Sequence, residues 1–255
     1  MTQEVMAPWA PRFSVGNVLS TSLAVYGRNF VSFTVVALVL QIPVLLLELF
    51  ANPAANPAVP NPAAADPGGF FGYLGLSLVV GALFNGITTA TLVYGSVQDL
   101  RGQRASIGEC FSRAMTVVVP IVLAALAYSI LMSLGMALLI VPGVIILVTY
   151  WLYAPAIVVE RLGVGGAFTR SADLTRGKRW PIFGLMLIYG VILYAVSFAA
   201  VFLGAVGGFV SLTIVTFALN TIIGASISVG SAVTYFLLRS EKEGVDIDQI
   251  AQVFD

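Results

Sequence analysis

The sequence predicts an all-α polytopic membrane protein with six transmembrane helices, arranged as three hairpins that each follow a cytoplasmic interfacial helix. Three observations carry this prediction. Of the 255 residues, 59% are hydrophobic and only 9% charged, with mean hydropathy +0.99; a soluble domain carries roughly a quarter charged residues. Apolar blocks long enough to span a bilayer alternate with short polar connections. One pattern also occurs three times, as S-V-G-N-V-L-S-T-S from Ser14, S-I-G-E-C-F-S-R-A from Ser106 and G-V-G-G-A-F-T-R-S from Gly163. Each copy stands just ahead of two apolar runs, so it reads as an internal repeat.

Residues 1–12 are polar and punctuated by proline, with no basic start leading into an apolar core, so no cleavable signal peptide is expected. From Ser14 to Arg28, Val15, Val18, Leu19, Leu23 and Tyr26 recur near helical spacing opposite Ser and Thr. That stretch is too short and polar to span, and reads as an amphipathic helix in the interface. Segment 1–28 thus precedes the first hairpin, 29–98. Its first span is Asn29 to Phe50, about 22 residues for a core of roughly 30 Å, with a kink expected at Pro43. The Ala/Pro/Asn-rich stretch 51–69 favours extended backbone and reads as a loop with no fold of its own. Phe70 to about Val97 is the second span.

Unit 2 covers 99–160. Ser106 and Glu109 form an S-x-x-E capping box that starts its short helix. A span from Met115 to Ile140, a turn at Val141-Pro142-Gly143 and a span from Val144 to Val159 follow. Unit 3, 161–239, begins with the basic stretch that ends at Trp180. Its spans are Ile182 to Leu203 and Phe209 to Leu238, joined by a turn at Gly204 to Gly208. The charged tail 240–255 carries an expected short helix from Asp246. The whole chain, 1–255, reads as a single membrane domain.

All twelve Lys and Arg fall on one side of this six-span scheme, and the three opposite connections contain none. The positive-inside rule then places both termini in the cytoplasm.

Three stretches carry a family resemblance: V-P-G-V-I-I-L-V-T-Y-W-L-Y-A-P-A-I-V-V-E (141–160), S-A-D-L-T-R-G-K-R-W-P-I-F-G (171–184) and Y-F-L-L-R-S-E-K-E-G-V-D-I (235–247). With them the chain resembles the membrane-domain family of glycerophosphoryl diester phosphodiesterases, as a stand-alone member. The resemblance implies a multi-span bundle in a bacterial inner membrane. Only a short tail follows Arg239, where those enzymes carry a catalytic barrel, so it implies no hydrolase activity.

The chain has no His and one cysteine, Cys110, which excludes imidazole chemistry, intrachain disulfides and multi-thiolate zinc sites. No P-loop, metal-ligand spacing or nucleophile motif occurs, so the chain reads as non-enzymatic, with no cofactor and no metal expected. Polar residues inside the apolar blocks are Gln41, Glu48, Asn85 and Asn220. Glu48 is either a solvated interfacial carboxylate or a functional acid in the bundle. Asn85 and Asn220 read as amides that bridge helices, or as part of a substrate site. Asp99 and Glu160 end helices, where they are expected to pair with Arg101 and Arg161, while Asp173 is expected to pair with Arg170 or Arg176. Arg170, Arg176, Lys178 and Arg179, beside the interfacial anchor Trp180, form a topology signal and a candidate lipid-headgroup site. Gly81, Gly86, Gly224, Ser228 and Gly230 mark close helix packing or a homo-oligomer face.

The expected function is binding of membrane phospholipid, in membrane or envelope homeostasis or scaffolding, with no nucleic-acid partner. The alternative is a small-molecule or lipid transporter. Three two-helix units superficially resemble mitochondrial carriers, but the Pro-x-acid-x-x-base signature of that family is missing. An open cavity containing Glu48, Asn85 and Asn220 favours transport; a closed bundle with acyl-chain grooves favours lipid binding.

Overall fold

The computed structural model describes residues 13–52, 66–103, 106–205 and 208–244. Of these, 91% are helical and none lies in a strand. The helices are α1 (Val15–Arg28), α2 (Phe30–Ala51), α3 (Pro67–Leu100), α4 (Ile107–Thr116), α5 (Val118–Leu138), α6 (Ile140–Tyr150), α7 (Tyr153–Glu160), α8 (Val164–Thr175), α9 (Arg179–Ala205) and α10 (Gly208–Glu243). Among the described residues, α2, α3, α5, α6 with α7, α9 and α10 make six segments long and apolar enough to cross a membrane. Residues 1–12, residues 53–65 of the expected loop 51–69 and the short helix from Asp246 lie outside the described residues. So do residues 206 and 207 of the expected turn; helix continues through Ala205 and resumes at Gly208. At the ends of the loop 51–69, Ala51 still belongs to α2, and Pro67, Gly68 and Gly69 already form the first turn of α3.

Each of the three similar stretches starts a helix at its second residue. Ser14 Oγ accepts from the Asn17 N–H (3.1 Å) and Ser106 Oγ from the Glu109 N–H (3.2 Å), each satisfying an orphan donor of the first turn. The reciprocal arm of the expected capping box is diverted, because the Glu109 carboxylate accepts from the Tyr94 hydroxyl (3.1 Å). Gly163 caps α8 in an extended conformation without a side-chain bond. α1 runs along α10: the Phe13 N–H donates to Glu241 (3.0 Å) and the Tyr26 hydroxyl to the Ile222 carbonyl (3.1 Å), with Val18, Ser22 and Val25 buried between.

Two expected boundaries in unit 2 move. The break between α5 and α6 falls at Leu139, in extended backbone, and Val141-Pro142-Gly143 form the first turn of α6. Proline suits that turn, where an N–H has no helical partner in any case. The span expected from Val144 to Val159 is also interrupted, at Trp151 and Leu152. Pro155 supplies the cause: it has no N–H to offer the Trp151 carbonyl, and its ring collides with that carbonyl in a continuous helix. The backbone groups freed by the break are met by α8. Leu152 N–H donates to Ser171 Oγ (3.1 Å), and Ser171 Oγ donates to the Thr149 carbonyl (2.8 Å).

α3 and α10, at 34 and 36 residues, are about 51 and 54 Å long, well beyond a hydrocarbon core of roughly 30 Å. Their C-terminal halves hold the core. Leu92, Tyr94, Tyr235 and Leu238 are fully buried there, wrapped by Val18 and Val25 of α1, Cys110 of α4, Ile157 of α7 and Leu174 of α8. Each such side chain contributes on the order of 2 kcal/mol. At the other end the bundle turns apolar side chains outward, including Phe50, Phe71, Leu138, Val191 and Phe202. Two of the small residues serve packing within the chain: Gly86 lies against Ile121 of α5, and Gly230 under the Tyr189 ring of α9.

Candidate functional site

Within the outward-apolar half, α2, α3, α9 and α10 line a half-open cavity of about 720 Å³. It is lined by Gln41, Val44, Glu48, Asn85, Thr88, Thr89, Val201, Leu212, Thr213, Thr216, Phe217, Asn220, Thr221, Gly224, Ala225 and Ser228. Ten of these sixteen are polar. All four polar residues singled out from the apolar blocks of the sequence, Gln41, Glu48, Asn85 and Asn220, therefore share one space. The wall from α10 follows from helical periodicity: Thr213, Thr216, Asn220, Gly224 and Ser228 recur three and four residues apart on one face, with Thr221 at its edge. Sequence reasoning missed these threonines. The same 3.6-residue spacing inside an apolar run was the available signal.

The lining is partly satisfied by its own bonds. Gln41 Nε2 donates to Asn85 Oδ1 (2.7 Å), bridging α2 to α3, and Ser197 Oγ donates to Asn220 Oδ1 (3.0 Å), bridging α9 to α10. Thr89 and Ser228 hydroxyls share a bond across the floor (3.3 Å). Each asparagine thus spends its oxygen on a helix bridge, as expected of intramembrane amides, and its NH₂ makes no hydrogen bond among the described residues. Glu48 is half-buried, receives a bond from Asn52 Nδ2 (3.1 Å) and lies beside Tyr73.

The basic stretch sits at the other end of the molecule and is divided. Arg170 Nε donates to Glu160 Oε1 (2.7 Å), and its Nη2 pairs with Glu243 (2.5 Å). Desolvation pulls the Arg170 pKa down, but the hydrogen bonds to Glu160 and Glu243 outweigh it and hold the guanidinium above its ordinary value. Lys178 pairs with Glu241 (2.5 Å) and stands over the Phe13 ring. Arg176, Arg179 and Trp180 remain exposed, Trp180 at 82%.

The acidic partners differ from those expected. Asp99 meets Arg28 (2.5 Å) and Asn29 (2.7 Å), and Glu160 meets Arg170, Arg239 and the Tyr235 hydroxyl. Arg161 does not join them, because it ends α7 in the left-handed conformation, φ 51°, and turns the chain away. Asp173 contributes its carbonyl, which with that of Arg176 accepts from Lys242 Nζ (2.7 and 2.8 Å). Among the described residues no three His, Cys, Asp or Glu side chains come together.

The model of a family described as a domain of unknown function (DUF7847) matches residues 13–240. The chain belongs to the DUF7847 family. No curated protein and no solved structure matches it. The DUF7847 match takes in every cavity-lining residue, the three similar helix starts and the Ser171 contact that supports the broken helix. Of the charged cluster at the other end, Glu160, Arg170 and Arg239 lie within it, while Glu241 and Glu243 follow it.

Proposed function

We propose that this DUF7847 protein is a non-enzymatic carrier of a polar-headed small molecule or lipid, with the intramembrane cavity as its binding site. The single observation behind this reading is the cavity itself. Polar side chains in hydrocarbon are costly unless paired, and rarely gather without a ligand or water path to serve. Ten of them line one space of about 720 Å³, within the range of small-molecule sites. The packed C-terminal halves of α3 and α10 fill one end of the bundle and leave that space toward the other, which suits a carrier whose site is reached from one side at a time. Among the described residues Glu48 is the one ionisable group in the lining, and it has no second acid or base beside it there.

A trytophan-sized plug tests this. Native mass spectrometry of the wild type is expected to retain a bound amphiphile, and Thr216→Trp is expected to lose it. In proteoliposomes the same variant is expected to abolish protein-dependent translocation of a fluorescent phospholipid. Equal retention in both proteins sinks the reading.

In the proposed orientation the cation-bearing end and both termini face the cytoplasm of a bacterial inner membrane, in keeping with the resemblance to phosphodiesterase membrane domains. α2–α3, α5–α7 and α9–α10 are then three hairpins following α1, α4 and α8. α4 favours an interfacial position, since Ile107, Phe111 and Met115 form an exposed apolar stripe at four-residue spacing while Cys110 and Ala114 face inward. Single cysteines at positions 58, 106 and 172 in a Cys110→Ser background are expected to label externally only at 58. In the wild type, burial and the neighbouring Glu109 push the Cys110 thiol up to about 11, so it is expected to resist maleimide at pH 8 until the protein is unfolded. External labelling at 106 or 172 reverses the orientation.

Exposure of Arg176, Arg179 and Trp180 supports a second, compatible reading, in which this corner engages anionic headgroups of the cytoplasmic leaflet. Arg176→Gln with Arg179→Gln spares the Lys178–Glu241 pair. It is expected to weaken binding to phosphatidylglycerol liposomes by up to about 2 kcal/mol, at roughly 1 kcal/mol per charge. Unchanged binding leaves the pair as a topology signal alone.

A further inference from the structure

We infer that the cavity selects an amphiphile whose head carries a primary ammonium group, with Glu48 as its counter-charge; this rests on the cavity being a ligand site. Among the described residues Glu48 is the one charged residue in the lining. No Lys or Arg occurs in residues 29–100, 114–160 or 180–238, the stretches that build the apolar half. Among the described residues the carboxylate has no cation to pair with, and its donors, Asn52 Nδ2 and the Tyr73 hydroxyl, are both neutral. Asp66, the acid that precedes α3, is spent capping that helix through the Gly69 N–H (3.0 Å). Neutral donors stabilise an intramembrane carboxylate only in part, and here the counter-charge arrives with the ligand.

The surrounding groups fit that head. An ammonium has three N–H donors and needs acceptors; Thr213 and Thr216 offer hydroxyl oxygens on the α10 wall, in the same lining as the Glu48 carboxylate. Asn220 keeps an unbonded NH₂ for a phosphate or hydroxyl oxygen adjoining the ammonium. Val44, Val201 and Leu212 supply apolar contact for the start of a chain. An anionic head meets the same carboxylate as repulsion, so one residue works both for the ligand and against its competitors.

The ammonium could belong to phosphatidylethanolamine or to a free alkylamine, and the experiment separates these. Full-length protein in neutral detergent is titrated with phosphatidylethanolamine, phosphatidylglycerol, dodecylammonium and dodecanol. At least one ammonium compound is expected to bind about tenfold more tightly than its anionic or neutral counterpart, a difference of about 1.4 kcal/mol. The tighter of the two identifies the source. Glu48→Gln is expected to erase the preference and leave dodecanol binding in place, whereas Glu48→Asp retains the charge and the preference. Glu48→Asp also serves where the Gln variant does not fold, since loss of the preference in it alone counts against the inference. Equal affinities in the wild type, or a preference that survives Glu48→Gln, overturn the ammonium selectivity. So does Glu48-dependent stabilisation by sodium chloride that choline chloride does not reproduce, which marks an inorganic cation as the occupant. In each of those cases, dodecanol binding that Thr216→Trp abolishes leaves the cavity standing as a ligand site. Binding of every compound that ignores Thr216→Trp removes the cavity reading itself.

Discussion

Glu160→Ala is expected to destabilise the folded protein by about 3 kcal/mol, the low end for stripping one partner from a buried ion pair. A single carboxylate oxygen holds three elements together at this point. Glu160 Oε1, at the end of α7, accepts from Arg170 Nε of α8 (2.7 Å) and from the Tyr235 hydroxyl of α10, and faces Arg239 Nη1 at 3.6 Å. The side chains of Glu160, Arg170 and Arg239 are only 17, 22 and 16% exposed, so little water can replace the lost acceptor. Both arginines keep Glu243, which limits the loss. Glu160→Gln retains an oxygen acceptor and is expected to cost about half as much. The contrast is Arg28→Ala. Its pair with Asp99 is as short, but Arg28 is 57% exposed, and surface pairs are worth about 0–1 kcal/mol. Denaturant unfolding in mild detergent measures all three. Equal costs at Glu160 and Arg28 would mean that the cluster is solvated and does not lock α7, α8 and α10.

Glu160 also shows where sequence reasoning stops. That an acid ending a helix needs a cation was legible, and the nearest candidate was Arg161. Adjacency along the chain says nothing of direction, and the left-handed turn at Arg161 sends it elsewhere. The partner is Arg170, one helical stretch later, and its identity depends on how α8 packs back onto α7. The spans were legible because crossing a bilayer sets a length and a polarity that a single sequence displays. Their ends were less so: α3 runs to Leu100 and α10 to Glu243, past the apolar run, where Asp99 pairs with Arg28, Glu241 with Lys178 and Glu243 with Arg170, contacts that hydropathy does not report. For the cavity, Glu48, Asn85 and Asn220 stood out as polar residues in apolar blocks. Their meeting did not, because it depends on the rotation of α2 against α10 and on threonines that hydropathy barely distinguishes from apolar residues.

The break between α6 and α7 yields the second large effect. Ser171→Ala is expected to cost about 2 kcal/mol, because it leaves the Leu152 N–H without an acceptor in a fully buried position. The Thr149 carbonyl fares better: it loses the Ser171 hydroxyl at 2.8 Å but keeps Thr175 Oγ1 at 3.3 Å. Thr175 is itself shared, donating to the Ser171 carbonyl at 2.9 Å, so its compensation is partial. Buried Ser171 and Thr175 thus do for this helix what a neighbouring helix must do wherever a spanning segment is interrupted. If Pro155 is the reason for the interruption, the two residues are coupled. Pro155→Ala restores an N–H that can reach the Trp151 carbonyl and lets α6 run into α7, after which the Leu152 N–H can find the Val148 carbonyl and no longer needs Ser171. The double variant is therefore expected to be more stable than the sum of the single effects predicts, by about 1 kcal/mol, a coupling of the size found for residues in one hydrogen-bond network. Additive costs would show that Ser171 packs in the core without serving the break, and would separate the two signature stretches that this contact joins.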